Sequence, residues 1–254
     1  MNNFTTDAIN LKSYPLSDSD KIIVMYSKDK GIIKGVAKGV KKPKSKLGAR
    51  MEMFVANKLM LSKGKNLDTI CQAVALNTFN KTRCNMDKIF YSMYISEVVN
   101  NFGIENDPTS SETYDLLYKA LDTISNSQNK IEVLIATLKF QLKIMKLSGF
   151  GIELANCLIC GKQVEEESIY FSQNRGGIVC ESCCQNVGSM PHMHYKIRDF
   201  LVKLEQTDFE EKSEYESKAT EKICLICFRL LQDYINSHSP NKFKTTDILQ
   251  EAVG

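Results

Sequence analysis

The stretch Ile22-Ile23-Val24-Met25-Tyr26-Ser27-Lys28-Asp29-Lys30-Gly31-Ile32-Ile33-Lys34-Gly35-Val36-Ala37 reads as a β-hairpin. Two runs rich in β-branched residues flank a polar turn that ends in glycine, the composition that strands and hairpin turns favour. Working outward, residues 8–14 form an extended run before the hairpin. Residues 54–61 and 67–76 form two more after it, separated by Ser62-Lys63-Gly64-Lys65-Asn66. Five short strands in the first eighty residues predict a small closed barrel of the OB-fold type, and barrels of that kind commonly bind single strands in a basic groove.

Beyond Asn80 the apolar period changes from two to about 3.6. Met86, Ile89, Phe90, Met93 and Tyr94 predict one amphipathic helix over residues 86–102. Tyr114, Leu117, Tyr118, Leu121 and Ile124 predict a second over residues 112–125, after the loop Asn106-Asp107-Pro108-Thr109-Ser110-Ser111, in which Ser110 or Ser111 can cap it. A third, carrying Ile131, Leu134, Ile135, Leu138, Leu142 and Met145, stops at Gly149, and helical spacing resumes at Ile197 to Leu204 and at Ile223 to Tyr234. The expected fold is therefore α+β: an OB-fold domain over residues 1–80, then a helical domain over residues 81–254 with a cysteine-rich insertion at 153–187.

That insertion holds Cys157-Leu158-Ile159-Cys160 and, after nineteen intervening residues, Cys180-Glu181-Ser182-Cys183. Two tight C-x-x-C turns can aim four thiolates at one point and close a tetrahedron around structural Zn²⁺. Gly161 after the first pair and Gly176-Gly177 before the second supply sharp bends. A redox dithiol needs only one such pair, and disulfides are the other reading. Cys224 and Cys227 repeat the spacing, but inside the apolar run Ile223-Cys224-Leu225-Ile226-Cys227-Phe228, where core packing is the expectation. Cys184, Cys71 and Cys84 are read as small apolar residues, Cys184 with the option of substituting for its neighbour. His192 and His194 are redundant beside four thiolates.

The net charge of +3 conceals a division. Residues 1–80 hold 14 Lys or Arg against 6 Asp or Glu, a balance of +8, which leaves −5 for the rest. Lys34, Lys38, Lys41, Lys42, Lys44, Lys46 and Arg50 fall in seventeen residues without an acid between them. Such a block is a footprint for phosphate; its bland alternative is a solvated basic loop. Residues 205–221 are strongly acidic and read as a solvated helix face or a loop.

No apolar head marks secretion, and residues 131–147 are interrupted by Lys139, Gln141, Lys143 and Lys146, so no membrane span is expected. A cytoplasmic location is expected, where clustered thiols stay reduced and usually mean metal.

Ser19-Asp20-Lys21-Ile22, Gly31, Ala37-Lys38-Gly39, Pro43-Lys44-Ser45, Gly48 and Phe54 together resemble the N-terminal signature of the bacterial RecO family of recombination mediators. Lys63-Gly64 with Leu67, the four cysteines with Phe171 and Gly176-Gly177, and Lys242-Phe243-Lys244 extend that resemblance along nearly the whole chain. Met53 departs from it, standing where many members have proline. The resemblance implies a non-enzymatic DNA-repair factor that binds single- and double-stranded DNA and anneals complementary strands. It also implies contacts with the single-strand-binding protein and, with RecR, help in loading RecA. The basic segment would carry the DNA, and Cys157, Cys160, Cys180 and Cys183 the zinc.

Two other classes are weaker. A zinc deaminase needs His-x-Glu and an open coordination position, and no histidine here precedes glutamate at that spacing. Neither Gly64-Lys65 nor Gly161-Lys162 has the upstream glycine and following Ser or Thr of a phosphate loop. A zinc-containing transcription regulator would need a recognition helix rich in Arg, Asn and Gln, whereas these helices are apolar or acidic.

Overall fold

Five strands form from the first eighty residues: β1 (Asn3–Pro15), β2 (Lys21–Ser27), β3 (Gly31–Ala37), β4 (Ala56–Ser62) and β5 (Asp68–Asn77). The computed structural model describes residues 3–165, 167–185 and 190–245; residues 166, 186 and 187 of the expected insertion and 246–254 of the expected helical domain lie outside these. β1 pairs antiparallel with β2 and with β4, β2 with β3, and β4 with β5. Two parallel pairs, Gly35 with Asp68 and Val36 with Thr69, complete the ring β1-β2-β3-β5-β4. Gly35 is required there, because a Cβ on it would lie 2.8 Å from Ile70 Cγ1.

Ile23, Met25, Ile33, Leu59, Leu61 and Ile70 fill the interior. The loop between β3 and β4 joins this core through Val40 and Met51, with Leu47 packed against it. Asn10 and Asn57, both buried, donate from Nδ2 to the Arg50 carbonyl at 2.8 Å each, fixing where the loop re-enters the sheet. Phe54 takes a left-handed backbone (φ 70°), so β4 starts two residues later than the apolar run suggested. β1 begins five residues earlier than expected, since its polar start, Asn3 to Asp7, pairs with β4 without an apolar run to announce it.

The helices follow as α1 (Met86–Phe102), α2 (Ser110–Asn126) and α3 (Lys130–Leu147). Asn85 and Asn129 cap α1 and α3 by accepting from Lys88 N and Glu132 N. After them come β6 (Ser168–Ser172), β7 (Gly177–Cys180), α4 (Glu181–Cys184), β8 (His192–His194), α5 (Tyr195–Gln206), α6 (Glu214–Ser217) and α7 (Glu221–His238). β6 lies between β7 and β8 in a three-stranded sheet that the sequence reading did not anticipate. No helix among the described residues is long and apolar enough to cross a membrane.

The chain forms two compact units, and they do not divide at the change from strand to helix near residue 80. The first unit holds the described residues up to Asn126 and those from Phe243 on. In it, Tyr26 Oη donates to Asp107 at 2.8 Å, Lys28 pairs with Asp115 at 2.8 Å, and the Glu97 carboxylate accepts from Lys244 N and Thr245 N at 3.0 and 2.9 Å. The second unit runs from Ser127 to Lys242. Lys139, read from sequence as a break in an apolar run, is only 2% exposed on α3. Its ammonium donates to the carbonyls of Asp208 and Glu211 at 2.8 and 3.0 Å and pairs with Glu216 at 3.0 Å. The acidic stretch thus neutralises a buried cation rather than serving only as a solvated face.

Candidate metal centre and nucleic-acid interface

Cys157 opens the first cysteine turn, which closes when its N–H donates to the Lys162 carbonyl at 2.8 Å and Gly161 N donates back to its carbonyl at 2.9 Å. Gly161 holds φ 70°, which a side chain would strain. Leu158 N donates to Ile178 O at 3.0 Å, tying this turn to β7, whose last residue is Cys180. Cys183 follows on the single turn α4. The four sulfurs lie within 4.8 Å of one another. Cys160 Sγ and Cys180 Sγ are 3.9 Å apart, close to the ~3.8 Å edge of a tetrahedron whose centre sits about 2.3 Å from each sulfur. The arrangement can hold one metal ion. Four protein ligands would complete its coordination, so the geometry suits a structural ion better than a water-activating one.

The thiols are also prepared electrostatically. Burial acts to raise Cys157, but N–H groups of Cys160, Cys180 and Ile159 directed at its sulfur outweigh this and lower it to about 6. Those from Cys180 and Ile159 lie at 3.4 Å. Cys183 is pushed up to about 12, first by its contact with Cys180 and then by burial. Four thiols this close cannot all ionise without a cation to balance them, so binding a divalent ion would release protons.

No disulfide joins any of the nine cysteines. Cys224 and Cys227 are fully buried in α7, away from the cluster, and burial pushes each up to about 12. Cys184 is buried beside Cys183 without joining the four. Cys71 and Cys84, read as small apolar residues, are exposed: Cys71 takes a solvent-facing place in β5 and Cys84 ends a 3-10 turn. His192 and His194 are exposed on β8, where His194 accepts from Lys196 N to cap α5.

In the first unit, Lys34, Lys38, Lys41, Lys42, Lys44, Lys46 and Arg50 are all exposed. Among the described residues none of the seven stands at ion-pair distance from a carboxylate. The segment bearing them has a defined path. The Asp20 carboxylate accepts from Gly39 N at 2.7 Å, Lys41 N donates to Ser19 O at 3.0 Å, and Lys41 Nζ donates to Ser17 O at 2.7 Å. The Gly39 N–H, with help from Ser19, holds the Asp20 carboxyl below its ordinary value. Lys12 was missed by the sequence reading. It pairs with Val24, which pairs with Lys34, so both lysines occupy one cross-strand row. The period-two alternation of β1 could have located it, but a bulge between Asn10 and Lys12 shifts the register there.

The chain matches two family models: that described as Recombination protein O N terminal over residues 1–79, and that described as Recombination protein O C terminal over residues 83–247. It is similar to proteins named DNA repair protein RecO. That of Desulforamulus reducens is 30% identical, covering 97% of this chain and 93% of the relative. That of Rubrobacter xylanophilus is 31% identical over 71% of each, and that of Caldanaerobacter subterraneus subsp. tengcongensis 26% identical over 95% of each.

Proposed function

The chain belongs to the RecO family of DNA repair and recombination proteins, and from that premise we propose that it is a non-enzymatic mediator that binds single- and double-stranded DNA and anneals complementary strands. With RecR it would help load RecA on DNA coated by the single-strand-binding protein. Residues 1–80 would act as an OB-type nucleic-acid-binding domain. Residues 81–254 would form a helical domain stabilised by Zn²⁺ on Cys157, Cys160, Cys180 and Cys183, within the insertion 153–187.

The observation that carries this reading is the set of seven exposed basic side chains, Lys34 on β3 and Lys38 to Arg50 on the loop anchored to the core by Val40 and Met51, with no carboxylate partner among the described residues. Unpaired cations on a fixed backbone meet phosphates at little ordering cost, and each contact releases condensed counterions. The same surface can screen the repulsion between two strands as they pair. Because such contacts go to the backbone, binding would be largely indifferent to sequence. Zinc, when bound, would cross-link the two cysteine turns and supply no chemistry beyond that.

The test is binding of the purified chain to single-stranded and duplex DNA across a salt series, with annealing of complementary strands followed in the same samples. Salt-sensitive, sequence-tolerant binding with annealing is expected. Strong preference for one duplex sequence, or no annealing at low salt, would overturn the reading.

A further inference from the structure

Residues directly opposite on antiparallel strands face the same side of a sheet, and successive residues face opposite sides. Ile23 lies in the barrel core, so its neighbour Ile22 faces outward. With Ile22 go its partners Tyr14 on β1 and Val36 on β3. Tyr14, Ile22 and Val36 therefore form an apolar row across the outer surface. The next row along holds Lys12 and Lys34, and Lys38 comes one residue past the end of β3.

The far end of this outer surface is covered. Tyr26 is fully buried with its hydroxyl on Asp107, and Ile32 N donates to Ile104 O at 3.0 Å. The Tyr14 end is open: Tyr14 is 47% exposed and Leu16 49%. The Lys12 ammonium lies 5.5 Å from the Tyr14 ring centroid. The basic loop is moored to the turn just beyond, through the two Lys41 hydrogen bonds to Ser17 and Ser19. An aromatic ring held half in water, with an apolar row beside it and cations flanking it, is suited to a flat, apolar-faced group tethered to anions through a flexible backbone. An unpaired nucleobase in a single strand is such a group.

We propose that Tyr14 stacks on a nucleobase of bound single-stranded DNA, while Lys12, Lys34 and the loop lysines hold the phosphates around it. The inference rests on the DNA-binding reading above and deepens it. Lysines meet phosphates in single strands and duplexes alike. A ring that must lie on a base face can do so only where the base is unstacked, so Tyr14 would supply the preference for single strands.

The experiment compares wild type, Tyr14→Ala and Tyr14→Trp for binding to a labelled oligo-dT strand and to a duplex of the same length, at several salt concentrations. Thermal unfolding of each variant checks that it folds. Tyr14→Ala is expected to lose about 5- to 140-fold in single-strand affinity, the equivalent of ~1–3 kcal/mol per stacked base at ~1.4 kcal/mol per tenfold. Duplex affinity and the salt slope should stay unchanged. The chain has no native tryptophan, so Tyr14→Trp places a single reporter at the site, and its emission should be quenched when the strand binds. Unchanged single-strand affinity in Tyr14→Ala, or unmoved tryptophan emission while the strand is bound, overturns the stacking role and leaves the lysine reading standing. A wild-type chain that binds no single strand overturns both.

Discussion

Changing Lys41, Lys42, Lys44 and Lys46 together to alanine isolates the contribution of the β3–β4 loop to nucleic-acid binding. Lys42, Lys44 and Lys46 are exposed and form no ion pair among the described residues, whereas Lys41 also donates to the Ser17 carbonyl. On single strands each neutralised phosphate contributes about 0.7 to the magnitude of the slope of log affinity against log salt. Three contacts give a reduction of about 2.1, and four give about 2.8. Between ~50 and ~200 mM salt, the variant should then lose about 18- to 50-fold less affinity than wild type. Fluorescence anisotropy with homopolymer and mixed-sequence strands measures this, and the weakening should be the same for both. Annealing should fall in parallel. Val40, Leu47 and Met51 anchor the loop from its other side, so the variant should unfold at the wild-type temperature. A folded variant with wild-type affinity and slope would falsify the phosphate-binding role and leave a solvated basic loop.

Three further outcomes are expected. Metal analysis of freshly purified protein should find one zinc per chain, lost when Cys157 and Cys160 are both changed to serine and kept when Cys224 and Cys227 are. Structural zinc supplies on the order of 10–16 kcal/mol in zinc-finger peptides, so the metal-free variant should at least unfold the insertion; full zinc retention would refute the ligand set. Lys139→Ala should cost about 3–5 kcal/mol in urea unfolding by leaving the largely buried Glu216 carboxylate without its cation, while Lys139→Met combined with Glu216→Leu should recover part of it; a single variant as stable as wild type would exclude the buried pair as a stabilising contact. Asp20 is held below its ordinary value of 3.8, so its contribution is fully present above that value and is lost as pH falls through its lower folded value. Protection of the Gly39 amide from hydrogen exchange should drop over that acidic window in wild type and be insensitive to it in Asp20→Asn.

The strands and helices most legible in the sequence were those whose burial is one-sided, because a period of two or 3.6 exists only where one face is apolar. α2 was of this kind; β2 was legible instead as a continuous apolar run, and the four cysteines by their spacing. The first half of β1 was hidden because Thr5, Thr6 and Asp7 pair with β4 through the backbone, which leaves no side-chain signature. β6, β7 and β8 are three to five residues long, too short for any period to emerge. Lys139 misled for a different reason. A charge in an apolar run reads as a solvent-facing break, and only the fold shows that Asp208, Glu211 and Glu216, some seventy residues on, surround it. The basic loop was visible as composition; its mooring by Asp20, Asn10 and Asn57 was not, since those bonds span 7 to 40 positions and end on backbone groups.

The contacts of Phe243, Lys244 and Thr245 with the first unit make the second unit a guest within the covalent chain, tied to its host at both ends. Tyr94 and Glu97 wait for partners nearly 150 positions downstream. During synthesis a ribosome must deliver the whole of Ser127 to Lys242 before those partners emerge, so the unit begun first is completed last. A protease nick within the second unit would leave both fragments bound to the same host, one by its strands and the other by its tail.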